Sequence, residues 1–504
     1  MAHHNVAAGG PPAGWKLRAD CEAEASGQGG RLSLRTIMLT IHDTPNTSRR
    51  DFVRAGALCF GGLALAEFSL PNLLRAEAAA GIRASSKAAV FVHLDGGPPH
   101  MDMIDPKPDA PAEIRGEFGP ISTKIVGLQV GELLPRLAKS ADKFAFIRSL
   151  VGSAGAHDAF QCQSGFAAKD MESIGGRPAL GSVVAKLRGS TEDESPSFVD
   201  LMQGRAFVRN SARPGFLGPA YQPFRPDISR LFARELEGGM KNELARRGSG
   251  HATSLALHDQ LSLGRIDDRT QLLSGLDRFS RQADRSGMMG AVDNFTQQAV
   301  GILTSGKFAK ALDLASEPAR GLARYSLSQP VERVGTSDDG SAVKKFLLAR
   351  RLLEAGVRVV SLSLSDYDTH SGNFDRMRRL MPVLDCGLTA FVADLEERGM
   401  LNDVSIVAWG EFGRTPKVNK SAGRDHWPGV GMALLAGGGM KTGQVIGSTD
   451  RLASIPASRP VHYQDVIATL YHNLGISPTS TTLLDPSGRP QHVVDKGQVM
   501  SELL

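Results

Sequence analysis

Lys87-Ala88-Ala89-Val90-Phe91-Val92-His93-Leu94 is followed at once by Asp95-Gly96-Gly97-Pro98-Pro99. An apolar run of this length that stops at a glycine- and proline-rich turn reads as a strand buried on both faces. The pattern recurs twice. Val357 to Leu364 follows a helical segment, Ala342 to Ala355, and ends at Ser365-Asp366-Tyr367-Asp368-Thr369-His370. Val404 to Trp409 follows a second helical segment, Phe374 to Arg398, and ends at Gly410-Glu411-Phe412-Gly413-Arg414-Thr415-Pro416. Repetition of helix, buried strand and polar loop predicts an α/β fold with a mostly parallel central sheet and helices on both faces.

Working outward, Ser197 to Leu201 and Gly431 to Ala436 read as further strands, the latter closed by Gly437-Gly438-Gly439, and Tyr463 to Leu474 reads as a late amphipathic helix. Residues 226–324 carry a helical pattern rich in Arg, Gln, Asp and Leu without convincing strands, and are expected to form a helical insertion in an α/β domain spanning 87–504. No internal repeat of fixed period is visible.

The 504 residues are 41% hydrophobic and 22% charged, a globular balance with enough apolar surface for a large core. A formal charge of +5 is scattered rather than clustered, and aromatics reach 6% without a basic stripe to interleave with them, so nucleic-acid binding gains no support. Of the four cysteines, Cys162 and Cys386 lie in the main body. A disulfide framework is excluded, and two buried thiols or a single bridge remain open.

Upstream, Ser48-Arg49-Arg50-Asp51-Phe52-Val53-Arg54 precedes the mildly apolar Ala55 to Leu65 and the small-residue pattern Ala76-Glu77-Ala78. That order is a twin-arginine signal peptide, assigned to 38–80 and read by the twin-arginine translocase. Residues 1–37 are polar and glycine-rich, and are expected to be a non-native or disordered upstream segment, with Met38 supplying the start of a short n-region. The protein is therefore expected in the periplasm or outside the cell, with no stable membrane span after processing.

Each of the three loops at the strand ends delivers carboxylates or imidazoles: Asp95 with His100 and Asp102; Asp366, Asp368 and His370; Glu411 followed by Asp425 and His426. Mixed carboxylate and imidazole donors suit a divalent cation, with Zn, Mn, Ca and Mg all admissible. Plainer readings exist for each residue. Asp95 can initiate the Gly96-Gly97 turn, Asp368 can cap the helix that starts near Asn373, and Asp425-His426 or His157-Asp158 can be surface pairs. Their common position after buried strands, where ligands collect in open α/β sheets, favours a shared site.

Asp95-Gly96-Gly97-Pro98-Pro99-His100, Asp105-Pro106-Lys107, Asp368-Thr369-His370, Gly410 to Pro416, Gly423-Arg424-Asp425-His426-Trp427-Pro428 and Gly443 to Gly447 with Thr449-Asp450, together with the leader, resemble the domain of unknown function 1501 family. That family is similar to the alkaline phosphatase and sulfatase superfamily, whose members hold one or two metals at strand ends. The resemblance implies that Asp95, Asp368, His370, Glu411, Asp425 and His426 are metal ligands. Where the superfamily usually shows an Asp-His pair, this chain has Glu411-Phe412. The loop Gly152 to Gly165 lacks the Cys-x-Pro-x-Arg motif of sulfatases; Ser153 is its candidate hydroxyl and His157 a candidate ligand or acid. Arg414 is the candidate anion-binding residue, with Arg424 beside it, although both can equally be structural. The expected function is an exported metal-dependent hydrolase of phosphate or sulfate esters, acting on an anionic small-molecule or polymeric substrate. The alternative is a non-catalytic, metal-stabilised envelope binding or scaffold protein of the same fold.

Overall fold

The computed structural model describes residues 87–504 other than 172–173, 191–192, 209–211, 233–237, 239–240 and 243–305. Residues 1–37, the leader at 38–80 and most of 226–324 lie outside the described residues. In chain order the main elements are β1 (Ala88–Asp95), β2 (Ala145–Val151), α1 (Leu180–Arg188), β3 (Phe198–Leu201), α2 (Lys344–Glu354), β4 (Val359–Ser365), α3 (Asn373–Glu397), β5 (Val404–Trp409), β6 (Gly431–Gly437), β7 (Gln444–Ile446), β8 (Val461–His462) and α4 (Tyr463–Asn473).

These strands form one sheet in the order β7-β2-β6-β5-β1-β4-β3, with β8 also paired to β2. β1 is parallel to both neighbours, Asp95 lying opposite Ser365 of β4 and His93 opposite Trp409 of β5. β3 runs parallel to β4. β6 is antiparallel to both β5 and β2, which leaves β2 running the same way as β5. The sheet is thus mostly parallel, with one reversed strand inside it.

β1 is buried along its whole length because both its faces are covered. Val90, Val92 and Leu94 point into a core shared with α2 and α3, where Phe346, Leu352, Met377 and Phe391 pack. Ala89 and Phe91 point into a second core, built with Val183 of α1 and Val466 and Leu470 of α4. Alternate side chains of a strand face opposite ways, so a continuous apolar run is what a strand between two helical layers requires. Cys386 belongs to the first core and Cys162 to the second, and both are free thiols separated by the sheet.

The expected elements are present with ends shifted by a residue or two, and β2 is the longest of the strands that the apolar pattern does not reveal, the short β7 and β8 being the others in this sheet. Its sequence Ala145-Phe146-Ile147-Arg148-Ser149-Leu150-Val151 is interrupted by two polar residues. Arg148 reaches the carbonyls of Ile104 and Gln129, and Ser149 donates to the carbonyl of Arg459, so both are satisfied within the fold. In the described part of 226–324, Lys307–Leu312 and Ala319–Arg324 are helical. Among the described residues no helix is long and apolar enough to cross a membrane.

The parallel strands β3, β4, β1, β5 and β2 all finish at one edge of the sheet, and β6 begins there. This edge receives the loops that carry the acidic and imidazole residues. The turn after β1 must be tight for the loop after β4 to lie over it. Gly96 has φ +97°, and a Cβ there would stand 2.6 Å from the Asp368 nitrogen. Gly96→Ala is expected to lower the unfolding free energy by about 2–4 kcal/mol through strain and displacement of that loop, measured by urea unfolding.

A second expectation concerns α3. Asp385 accepts hydrogen bonds from the backbone N–H groups of Arg136 (3.0 Å) and Leu137 (2.7 Å). Burial pushes its carboxyl up to about 6, against the pull of those two amides. A carboxyl whose folded value exceeds its unfolded one takes up a proton on folding, so its stabilisation is full below about 4 and lost as pH rises through 6. The loss is on the order of 3 kcal/mol. Urea unfolding between pH 4 and 7 should show this decline in the wild type and a flatter profile in Asp385→Asn.

Candidate metal centre

Asp368, in the loop after β4, is the point at which the strand ends meet. Its Oδ1 lies 3.1 Å from His426 Nε2, 3.1 Å from His370 Nε2 and 2.6 Å from Arg414 Nη2. Its Oδ2 lies 3.2 Å from His157 Nε2 and 2.7 Å from Arg205 Nη1. The carboxyl is held well below the usual carboxylate range; burial opposes the charge, but hydrogen bonds from His157, His426 and Arg414 outweigh it.

Three imidazoles repeat one arrangement around this carboxylate. In each, Nδ1 is engaged by an acceptor: the Gly155 carbonyl for His426 (2.9 Å), Glu411 Oε1 for His157 (3.1 Å) and Asp425 Oδ1 for His370 (2.7 Å). In each, Nε2 then faces Asp368. A neutral ring that gives its Nδ1 proton to an acceptor presents a lone pair at Nε2. Two lone pairs facing each other at about 3 Å repel, so each contact calls for a proton, a metal or a neighbouring donor; at His157 an N–H of Arg205 lies 3.2 Å from Nε2. Occupation of one ring nitrogen by an oxygen acceptor is how metal-ligating histidines are oriented. For His157, burial opposes the imidazolium, but hydrogen bonds to Asp368 and Glu411 outweigh it and lift the ring to about 9.

His157, Asp368 and His426 offer donor atoms within 4.8 Å of one another, as do His93, Asp95 and Glu411. The donor chemistry therefore fits a divalent ion at the first group. Glu411 stands between the groups: Oε1 accepts from the Gly96 backbone N–H (2.9 Å) and meets His157, while Oε2 faces His93 Nε2 at 3.4 Å. Asp95 Oδ2 accepts from Ser365 Oγ (3.0 Å).

Several expected residues fall elsewhere. Asp425 is half-exposed and meets His370 rather than the central cluster, which makes it the carboxylate that orients that ring. His370 is itself half-exposed, at the rim. Ser153 donates its hydroxyl to the Glu411 carbonyl (2.6 Å) and accepts from the Gly155 N–H, so it fixes the loop that carries Glu411. Asp366 accepts from the Asp368 N–H, Thr336 and Arg376, and so shapes the same loop as Asp368. Asp368 does not cap α3, whose N-cap is Gly372 with no side-chain bond.

For Arg414 and Arg424 the contacts favour the structural of the two readings. Both are fully buried, and neither pairs with Glu411 or Asp425. Arg414 donates to the carbonyls of Gly96, Gly97 and Arg424 as well as to Asp368. Arg424 makes a two-pronged contact with Asp102 and donates to the carbonyls of Ile114, Thr415 and Pro416. Their guanidinium groups are consumed in holding loops together. Arg205, just beyond β3, is the arginine that reaches the cluster from a partly open position, contacting Asp368 and lying 3.2 Å from His157 Nε2. Sequence reasoning missed both Arg205 and His93. The rule that strand ends carry function points to Arg205, and the two-residue strand period places His93 on the same face as Asp95.

Arg414→Lys is expected to lower the unfolding free energy by about 3–5 kcal/mol, because a lysine leaves buried carbonyls and Asp368 without the fork. Arg205→Ala should cost clearly less, and urea titration of both variants checks the ranking.

No curated protein matches this chain. Among solved structures, it is similar to the lipoteichoic acid synthase LtaP from Listeria monocytogenes, with 10% identity, 78% of this chain and 73% of that one covered, and a TM-score of 0.33. It is also similar to the PsFucS1 sulfatase from Pseudoalteromonas sp. (10% identity, 80% and 70% covered, TM-score 0.32) and to the phosphonate monoester hydrolase of Agrobacterium radiobacter (13% identity, 83% and 77% covered, TM-score 0.29). The profile of the family described as "Protein of unknown function (DUF1501)" matches residues 86–504. With nearly all of the described chain inside that match, the protein belongs to the DUF1501 family.

Proposed function

We propose that this protein is a metal-dependent hydrolase of phosphate or sulfate esters, acting outside the cytoplasm after export through the twin-arginine translocase. The observation that carries the reading is the set of three Nε2 atoms turned on Asp368, each with its Nδ1 already engaged. Asp368, His426 and His157 would hold the ion, with His370 at the rim and Asp425 orienting it. When bound there, a divalent ion polarises an ester oxygen and makes a water more acidic.

The chain's own groups divide the remaining work. Arg205 offers a partly exposed guanidinium beside the cluster, suited to the equatorial oxygens of a phosphate or sulfate group. The Gly155 carbonyl and Glu411 engage Nδ1 of His426 and His157, so that their Nε2 atoms point at Asp368. Phe412 stacks on the His426 ring at 4.1 Å between centroids, which restricts its rotation. With the Ser153 hydroxyl engaged by a carbonyl, direct attack by water is the favoured route. The water oxygen joins phosphorus or sulfur and releases a proton, the bond from phosphorus or sulfur to the ester oxygen breaks, and that leaving oxygen takes up a proton to become the alcohol.

Purified protein should contain a divalent metal by elemental analysis and should turn over at least one member of a panel of aryl phosphates, phosphodiesters and aryl sulfates. Chelation should abolish turnover and the matching ion should restore it. Asp368→Asn should lower kcat/KM by about 100-fold or more. An absence of turnover with every divalent ion tested would sink the hydrolase reading.

A further inference from the structure

We propose that His93, Asp95 and Glu411 hold a second divalent cation of the zinc or cobalt class, with His93 Nε2 as its imidazole ligand. The proposal extends the reading above, in which a first ion sits at Asp368, and it assigns a ligand that the chain's motifs do not announce.

The starting point is an unmet need inside the protein. His93 lies near the carboxyl end of β1, is 1% exposed, and has no hydrogen-bond partner among the described residues for either ring nitrogen. Glu411 Oε2 is likewise buried and without a hydrogen bond. A buried imidazole and a buried carboxylate oxygen left in this state are costly, and buried polar atoms of native proteins are otherwise almost always satisfied. Nor do the two satisfy each other. They stand 3.4 Å apart without making a hydrogen bond.

That spacing has another meaning. Two ligands bonded to one tetrahedral ion at about 2.0–2.1 Å are separated by about 3.3–3.4 Å, the edge of the tetrahedron. Asp95 brings a third donor oxygen within 4.8 Å of both. The strand geometry makes this possible. His93 and Asp95 are two residues apart on β1 and share a face, and His93 lies opposite Trp409, two residues before Glu411. Glu411 Oε1 is anchored by the Gly96 N–H and His157, which aims Oε2 at His93. Two carboxylates and one neutral imidazole sum to the charge that balances a divalent ion. A nitrogen donor and a tetrahedral edge favour zinc or cobalt over the oxygen-seeking calcium, magnesium and manganese.

Position 412 explains why the imidazole comes from β1. Phe412 is turned away, with its ring stacked on His426 and lying where a Cβ on Gly97 would touch it at 2.3 Å. The residue next to Glu411 therefore serves the first group by packing, while the neighbouring strand supplies nitrogen to the second.

The test is cobalt(II) and zinc(II) binding to the full-length protein, measured by equilibrium dialysis with elemental analysis and by the visible absorption of bound cobalt. Wild type is expected to bind two ions. His93→Gln, which keeps the side-chain volume, should bind one, with affinity for the other reduced at least 10-fold, and Asp368→Asn should lose the other ion instead. A wild type with one ion that disappears in Asp368→Asn and is indifferent to His93→Gln would overturn this proposal and leave the hydrolase reading standing. One ion that depends on His93 but not on Asp368 would support it and remove the first site. Absence of any bound ion overturns both. Should His93→Gln fail to fold by circular dichroism, anomalous diffraction at the zinc edge of zinc-grown wild-type crystals decides. A peak about 2.1 Å from His93 Nε2 is expected, and a peak near Asp368 alone overturns the assignment.

Discussion

One carboxylate, Asp368, organises the carboxyl edge of the sheet. Five donor or cationic groups converge on its two oxygens, from the loops after β2, β3, β4 and β5 and from the segment that leads into β6. A carboxylate has about four lone-pair sites, and five groups crowd them here. The parallel strands make the convergence possible, since each delivers its following loop to the same side. Had β6 run parallel like its neighbours, His426 would have been left at the far end of the sheet.

Holding such a cluster requires that the surrounding backbone cannot relax away from it. Arg414 and Arg424 do this from inside. Each distributes a guanidinium over several loop carbonyls and one carboxylate, which ties the turn after β1 to the segments after β5 and before β6. Burying a guanidinium is expensive unless its N–H groups find acceptors; Arg424 makes five such contacts and Arg414 four. The loops can therefore be short of regular structure and still be rigid. Gly96 completes the constraint by allowing Asp368 to lie directly on the turn after β1.

Much of this was legible in the sequence. Buried strands announce themselves as apolar runs, so β1, β4 and β5, the helices between them and the loops that follow could all be placed, and with them Asp95, Asp368, Glu411 and His426. Orientation is not legible in the same way. Nothing in Gly431 to Ala436 says that this strand is reversed, because a buried strand has the same composition in either direction. β2 escaped because Arg148 and Ser149 interrupt its run, and their partners are carbonyls 19, 44 and 310 residues away along the chain. The arginines beside the cluster were read from their position in motifs, which marks proximity but not burial. Arg414 is close to the site and wholly committed to its framework, whereas Arg205, outside any motif, is the one that remains partly open.

His93 shows the same limit from the other side. Inside an apolar strand, one imidazole reads as a tolerated core residue, and only the strand period sets it beside Asp95. Carrying ligands across a family position by position makes Phe412 look like a lost donor. In three dimensions that conclusion does not follow, because the space around Glu411 is shared by two adjacent strands and a nitrogen can enter it from either. A phenylalanine at 412 is then compatible with an intact donor set, and its ring has a separate task in bracing His426. What the chemistry requires is an imidazole at a point in space, and the register between β1 and β5 decides which strand supplies it.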